Sequence, residues 1–358
     1  MGGSVSAKRA TSFDVAKLAG VSRTTVSFVL NHVPGVSISE STRKNVLEAA
    51  QKLNYHPNES GRRLSSGKSK MIGLVLLQSA EQVFYDAFLL QVLVGLEAAA
   101  SRSGFHVLLK NIQGSQSDGY SQLINENHVD GIIFSGPLQE DPLLLELHSR
   151  GFPIMLMGQM PDTAIPYVDA NVELGAEAAV RHLIEQGNTR IGMITNAQFL
   201  YSTARQRRDG YLKALRDAGL PVDETLIKEG DYTPASGFRA MNTLLDSPTP
   251  PSAVFVASDV VAVGALRAIK QRGLRVPQEI AIIGFDDIPM AEYLDPPLST
   301  IRLPAFGLGW AAGERLIRLI LGEEIETQGV LLDTNLIIRQ STTDPSKIEQ
   351  TAQQQKVR

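Results

Sequence analysis

The chain has 358 residues, with 34 Lys+Arg against 38 Asp+Glu, 43% apolar residues and no cysteine. That is the make-up of a globular protein of two or three domains, and it excludes disulfides, thiolate chemistry and cysteine-ligated zinc. No apolar run reaches the ~18 residues of a membrane span, and the opening MGGSVSAKRATSFD has no apolar stretch to act as a secretory signal, so a cytoplasmic location is expected. The charge is unevenly placed. Residues 1–70 carry 11 Lys+Arg against 4 Asp+Glu, a net +7, and the remaining 288 residues carry 23 against 34, a net −11. A basic head on an acidic body predicts that the head meets a polyanion and the body does not.

In chain order, the first predicted element is a helix over FDVAKLA (13–19), with Phe13, Ala16, Leu18 and Ala19 near one face and Thr11 paired with Asp14 in a capping-box pattern. Gly20 breaks it. Ser22 is placed to cap a second helix whose buried stripe is Val26, Val29 and Leu30. A third helix, from about Ser39 to Asn54, offers Val46, Leu47, Ala50 and Leu53 to a small core. Two short helices around a glycine turn form a helix-turn-helix, whose second helix enters the DNA major groove. Arg23, Thr24 and Ser27 then face base edges: an Arg can donate twice to a guanine, and a Thr methyl can pack on a thymine. Helix-start amides and Asn31 would hold phosphates.

From residue 71 short apolar strands alternate with amphipathic helices. Strands are predicted at 71–77, 106–111, 131–136, 153–158, 190–196, 253–258 and 280–286, and helices at 87–103, 171–187, 204–219 and 260–273. Such alternation builds doubly wound parallel sheets with helices on both faces. Two lobes fit about 270 residues, with a ligand cleft beyond the carboxyl ends of the strands.

The runs TSFDVAKLAGVSRTTVSFVLN, STRKNVLEAAQKLNYHPN and GRRLSSGKS closely resemble the lac-repressor (LacI) family of bacterial regulators. The resemblance continues through VDANVELGAEAAVRHLIEQGNTRIGMI, RQRRDGYLKALRDAGL, SAVFVASDVVAVGALRAIKQRGLRVPQEIAIIGFDD and PPLSTIR. It implies an all-α helix-turn-helix domain joined by a hinge to a two-lobed α/β domain of the periplasmic-binding-protein type. It also implies a homodimer on a roughly palindromic double-stranded operator. Leu64 occupies the position of a hinge leucine that wedges into the minor groove, partly unstacking a base step and kinking the duplex. Thr11, Ser22, Asn58 and Arg62 complete the expected DNA contacts.

There are departures from the family. Phe28 stands where a polar or basic residue is usual, the loop NHVPGVSIS is about two residues longer than in the lac repressor, and Gly61 replaces a helix-forming Ala, at about 1 kcal/mol of helix stability. In the body, the resemblance places Arg207 and Asp286 at effector-binding positions. A guanidinium fork donating to hydroxyl oxygens and a carboxylate accepting from neighbouring hydroxyls suit a polyol. Tyr232 matches an aromatic that packs on the ligand and Ser258 a polar contact. Phe84 and Tyr85 are cleft candidates in SAEQVFYDAF, which lacks the family's usual Asn-Pro-Phe-Phe.

The expected domains are a flexible arm (1–10), a DNA-binding domain (11–57), a hinge (58–70), a first lobe (71–166 with 302–330), a second lobe (167–301 with 331–341) and a flexible tail (342–358). Asp286-Asp287 has no third ligand nearby to complete a metal site, GLGWAAG (307–313) lacks dinucleotide-loop spacing and reads as a close helix-packing segment, and the six histidines are scattered. No catalytic, metal or cofactor site is expected. The tail lacks leucine heptads, so a dimer rather than a tetramer is expected. A sugar is the favoured effector, with a purine or nucleoside as alternative. A transporter's solute-binding protein would explain the body but not the basic head, and a sugar-processing enzyme would need a catalytic constellation.

Overall fold

The computed structural model describes residues 10–31, 35–55, 68–112, 124, 128–138, 140–325 and 328–343. It forms two compact units, Met1–Ser69 and Lys70–Arg358.

In the first unit, α1 (Ser12–Ala19), α2 (Arg23–Leu30) and α3 (Glu40–Lys52) pack around Val15, Ala16, Val26, Val29, Val46, Ala49 and Ala50. Each helix begins on a side-chain cap. Thr11 and Asp14 form the full reciprocal box, Ser22 accepts from the Thr25 amide and Ser39 from the Thr42 amide. Gly20 sits at φ +67° and ends α1 in the left-handed conformation that glycine adopts without steric cost. The buried faces differ in part from expectation. Phe13, Leu18 and Leu47 are 60%, 52% and 45% exposed. The core of so small a unit takes Val15 and Ala16 from α1, and Val46, Ala49 and Ala50 from α3, the last three at i, i+3, i+4 spacing. Leu47 is rotated off that line by one residue.

The second unit contains two parallel sheets. The first comprises β1 (Met71–Leu76), β2 (His106–Asn111), β3 (Gly131–Ser135), β4 (Ile154–Met157), β5 (Tyr167–Ala170) and β11 (Gly329–Leu332), in the order β11-β5-β4-β3-β1-β2. The second comprises β6 (Ile191–Ile194), β7 (Ile227–Lys228), β8 (Ala253–Val256) and β9 (Ala281–Ile283), in the order β7-β6-β8-β9. A two-stranded antiparallel ribbon pairs β10 (Thr300–Arg302) with β12 (Asn335–Ile337). Helices α4 (Ala80–Tyr85), α5 (Ala87–Arg102), α6 (Pro142–Ser149) and α11 (Ala305–Leu321) belong to the first lobe, and α7 (Val172–Glu185), α8 (Ser202–Asp217), α9 (Pro234–Leu245) and α10 (Asp259–Gln271) to the second. Strands buried on both faces read as continuous apolar runs, and β3, β4, β6 and β8 are of that kind.

The lobe boundaries shift from those expected. β5 pairs with β4, and β11 pairs with β5 through Leu332, so the chain leaves the first lobe after Ala170 and Leu332 rather than after residues 166 and 330. YVDA and GVLL are too short for their periodicity to announce a lobe. Two residues of the flexible tail expected from 342 are packed into the fold. Thr342 and Thr343 are buried, and Thr342 joins His182 (2.8 Å) and Ser299 (2.7 Å). At the other end, the Lys70 amide donates to Asp130 (2.7 Å), so the last residue of the expected hinge belongs to the second unit. The GLGWAAG segment lies in α11, where helices touch backbone to backbone. A methyl group on Gly309 would fall 2.0 Å from the Val92 carbonyl, and one on Gly95 of α5 would fall 2.1 Å from that of Phe306.

Candidate functional site

In the first unit, Ser22, Arg23, Thr24 and Ser27 are exposed along one side of α2, opposite the buried Val26 and Val29. Phe28 is half-buried, and Asn31 caps the helix end with its side-chain amide donating to Ser27 (3.1 Å). Asn58, Arg62 and Leu64, together with Gly61, lie outside the described residues. The exposed face of α2 carries Arg23 and hydroxyl donors, the groups that read base edges.

In the second unit, a cleft opens between the lobes where parallel strands end. Leu77 and Gln78 follow β1, Gly136 follows β3, Gly158 follows β4, Asp169 lies at the end of β5, and Asn196, Ser258 and Asp286 follow β6, β8 and β9. Strand ends converge on such a crevice because each βα connection must reverse there. The cavity measures about 110 Å³, several times the ~10–15 Å³ that one water needs.

Arg207, on the second turn of α8, is buried at the centre. It donates to the Ala257 carbonyl, lies 3.4 Å from an Asp286 oxygen and stacks 4.3 Å over the Phe285 ring, and its Nε has no partner. Burial pushes the Asp286 carboxyl up to about 7; Arg207 opposes that shift, Asp86 adds to it, and the Ser258 hydroxyl and Asp259 amide oppose it. Behind it Asp259, fully buried, accepts from Thr300 (2.7 Å) and the Ile288 amide (3.0 Å); burial and the Asp286 charge raise its pKa well above the carboxylate range.

Strained backbone gathers in this cleft. Tyr232 (φ +61°), Asp286 (φ +118°) and Asp287 (φ +56°) all adopt conformations that favour glycine, each at a cost of about 1–3 kcal/mol that is sustained only where the surroundings over-determine it. The surroundings do so. The Asp286 amide donates to Ile301, and Asp287 accepts from Arg302 (2.6 Å) and Arg339 (2.8 Å). With both oxygens held by guanidinium groups, Asp287 is not offered to a metal ion.

Tyr232 has its amide on the Asn196 carbonyl (2.9 Å), accepts the Asn196 side-chain amide at its hydroxyl (3.1 Å) and meets Tyr201 edge to face at 6.3 Å. Burial pushes its hydroxyl up to about 12, so it stays a neutral donor and acceptor. The lobes also touch directly: the Tyr201 hydroxyl reaches the Leu77 carbonyl (3.2 Å) and Gln82 the Asp231 carbonyl (2.9 Å).

Two family models match the chain: "Bacterial regulatory proteins, lacI family" over residues 13–58 and "Periplasmic binding protein-like domain" over 180–342. The HTH-type transcriptional repressor CytR of Escherichia coli is 36% identical over 93% of this chain and 96% of its own. The chain belongs to the lacI family of bacterial regulatory proteins. Among solved structures, the transcriptional regulator CelR–cellobiose complex is 33% identical with a TM-score of 0.72, covering 93% of this chain and all of that one. The lac repressor dimer bound to operator and the anti-inducer ONPF is 29% identical with a TM-score of 0.82, covering 94% and 99%.

In this lacI-family chain the cleft brings together Arg207, Asp286, Tyr232 and Ser258. It does not include Phe84 or Tyr85, which are 83% and 40% exposed and meet each other edge to face at 5.4 Å. The capping box of Ser79 and Gln82 starts α4 in a register that turns both rings outward. The next residue to face the cleft is Asp86, the cap of α5, followed by Phe88. Sequence reasoning missed Asp86, Asp169, Asn196 and Tyr201. The polar residues closing the strand runs ITN and VDA were the available signal for Asn196 and Asp169; nothing local marks Asp86 or Tyr201. Among the described residues no helix is long and apolar enough to cross a membrane.

Proposed function

We propose that this chain is a cytoplasmic repressor whose grip on a roughly palindromic operator is controlled by a small polyhydroxylated effector, a sugar in first place, bound between the lobes. It acts as a homodimer and performs no catalysis. Arg23, Thr24 and Ser27 read bases; Thr11, Ser22, Phe28 and Asn31 flank that surface; Asn58, Arg62 and Leu64 form the hinge contacts, with Leu64 as the minor-groove wedge. Arg207, Asp286, Tyr232 and Ser258 hold the effector.

The observation that carries the reading is the conjunction, in one chain, of a capped α2 presenting Arg23, Thr24 and Ser27 to solvent and an interlobe cleft centred on a buried Arg207–Asp286 pair. The cellobiose bound by CelR and the operator bound by the lac repressor dimer support the two halves of it. Exposed apolar side chains on α5 and α11, Leu90, Val94 and Phe306, supply the kind of surface a dimer covers.

The proposed mechanism is a population shift. An effector touching both lobes stabilises one lobe orientation and so changes how two hinges meet. It can move the equilibrium only by its differential affinity for the two states, typically about 1–3 kcal/mol. The test is selection of duplexes from a randomised library by the full chain. An enriched palindrome whose binding is lost in Arg23→Ala supports the regulator. Failure to enrich any sequence would favour a solute-binding protein instead.

A further inference from the structure

The cavity's charge is lopsided. Asp86, Asp169 and Asp286 all line it, and Arg207 is the one cation among the described residues that do. Neither Asp86 nor Asp169 has a guanidinium or ammonium hydrogen-bonded to it in the described structure. Asp86 accepts from the Leu89 amide (2.9 Å) and the Gln78 side chain (3.1 Å). Asp169 accepts from the Ala170 amide (2.8 Å) and the Gln159 side chain (3.0 Å). Neutral dipoles of this kind hold a carboxylate in place without cancelling its field. Burial raises the pKa of each, with the nearby Arg207 charge only partly opposing it.

A second observation concerns hydrogen-bond polarity. Asn196 is 1% exposed and lines the same cavity, its side-chain nitrogen is committed to the Tyr232 hydroxyl, and its side-chain oxygen has no partner. A buried acceptor without a donor costs about 1–3 kcal/mol, so this oxygen calls for a donor from the ligand. An ionised carboxylate likewise only accepts. Hydroxyl groups both donate and accept, whereas ionised phosphate and carboxylate groups only accept. Arg207 Nε is the matching unpartnered donor.

We propose that Asp86 and Asp169, together with Asp286, set the specificity of the cleft for an uncharged ligand rich in hydroxyl donors and exclude its phosphorylated or carboxylate-bearing counterparts. This rests on the effector cleft described under the proposed function. The shared chemistry is a ring with neighbouring hydroxyls, which a free sugar or the ribose of a nucleoside supplies. An anionic group in the cavity meets like charges at short range in a partly desolvated site, where repulsion is far less screened than in water.

The experiment is calorimetric titration of the full chain with matched compounds. The sugar arm holds cellobiose, glucose and galactose against glucose 6-phosphate, glucuronate and galacturonate. The nucleoside arm holds cytidine and adenosine against their 5′-monophosphates. In whichever arm binds, the uncharged member is expected to be at least ~10-fold tighter, which is 1.4 kcal/mol. Asp169→Asn is expected to reduce that preference at least ~3-fold. Asp86→Asn, which keeps a good helix cap, is expected to do the same, so that misfolding of one variant leaves the other to decide. An anionic member binding as tightly as its neutral partner overturns the proposal, as does an unchanged preference in both folded variants. If the anions bind, the cleft reading survives and only the ligand class falls. If neither arm binds while the chain still selects an operator, the cleft reading falls and this proposal with it.

Discussion

Replacing Arg207 by Met removes the cation beside Asp286 while keeping an apolar stem against Phe285. The wild-type pair is 3.4 Å apart and almost fully buried. Asp286 has a native pKa of about 7 against an ordinary 3.8, so the native state holds a proton that the unfolded chain has released. Stability contributed by this group therefore falls as pH rises from about 4 to about 7, then levels off once the native carboxyl ionises. Without Arg207 the native pKa rises further, and the fall continues past 7. At pH 5.5 both proteins carry the proton, and the variant loses only packing and hydrogen bonds. At pH 8, about one pH unit above the wild-type value, the variant loses up to ~1.4 kcal/mol more. For a unit of this size that is roughly 2 °C of additional Tm loss. Thermal melts of both proteins at pH 5.5, 7 and 8 measure it, and Asp286→Asn added to the variant should abolish the pH-dependent part. A Tm gap that is the same at pH 5.5 and pH 8, or wider at pH 5.5, would refute the electrostatic account of the cleft.

Three further outcomes are expected. A ligand hydroxyl donating to ionised Asp286 favours the charged form, so effector affinity should rise up to about tenfold between pH 6 and pH 8; calorimetry showing a flat profile would remove Asp286 from the contact. Gly309→Val places side-chain atoms where α5 and α11 meet backbone to backbone; it should cost at least ~2–3 kcal/mol, read as a lowered melting temperature, and an unchanged one would contradict that packing. Thr11→Ala removes the capping box of α1 and should cost about 1 kcal/mol, weakening DNA binding without altering effector affinity in the same preparation.

Strands β1–β4, β6, β8 and β9 and helices α5, α7, α8 and α10 of the second unit were legible because long apolar runs and 3.6-residue stripes are local signals. The helix-turn-helix was legible from its caps: Thr11, Ser22, Ser39 and Gly20 each act within a few residues of chain. What the sequence hid was non-local. Phe13, Leu18 and Leu47 are apolar enough to expect inside, and only the geometry of a seven-residue core decides that Val15 and Ala49 go in instead. The lobe crossings depend on where β5 and β11 find hydrogen-bond partners, which no four-residue run reveals. Arg207 and Asp286 came from the resemblance of flanking motifs, whereas Asp86 lies in a stretch that departs from the family and meets the cleft only because a new helix starts there.

If the cleft controls the head through Arg207, operator affinity must follow cleft occupancy. The most direct measurement is fluorescence anisotropy of a labelled, library-selected operator, titrated with the full chain in the presence and absence of the compound that binds the cleft. Wild type is expected to change its operator affinity by about 5–150-fold on adding the compound, and Arg207→Met to bind the operator as wild type does without ligand but no longer respond. An Arg207→Met response curve that superimposes on wild type would contradict it.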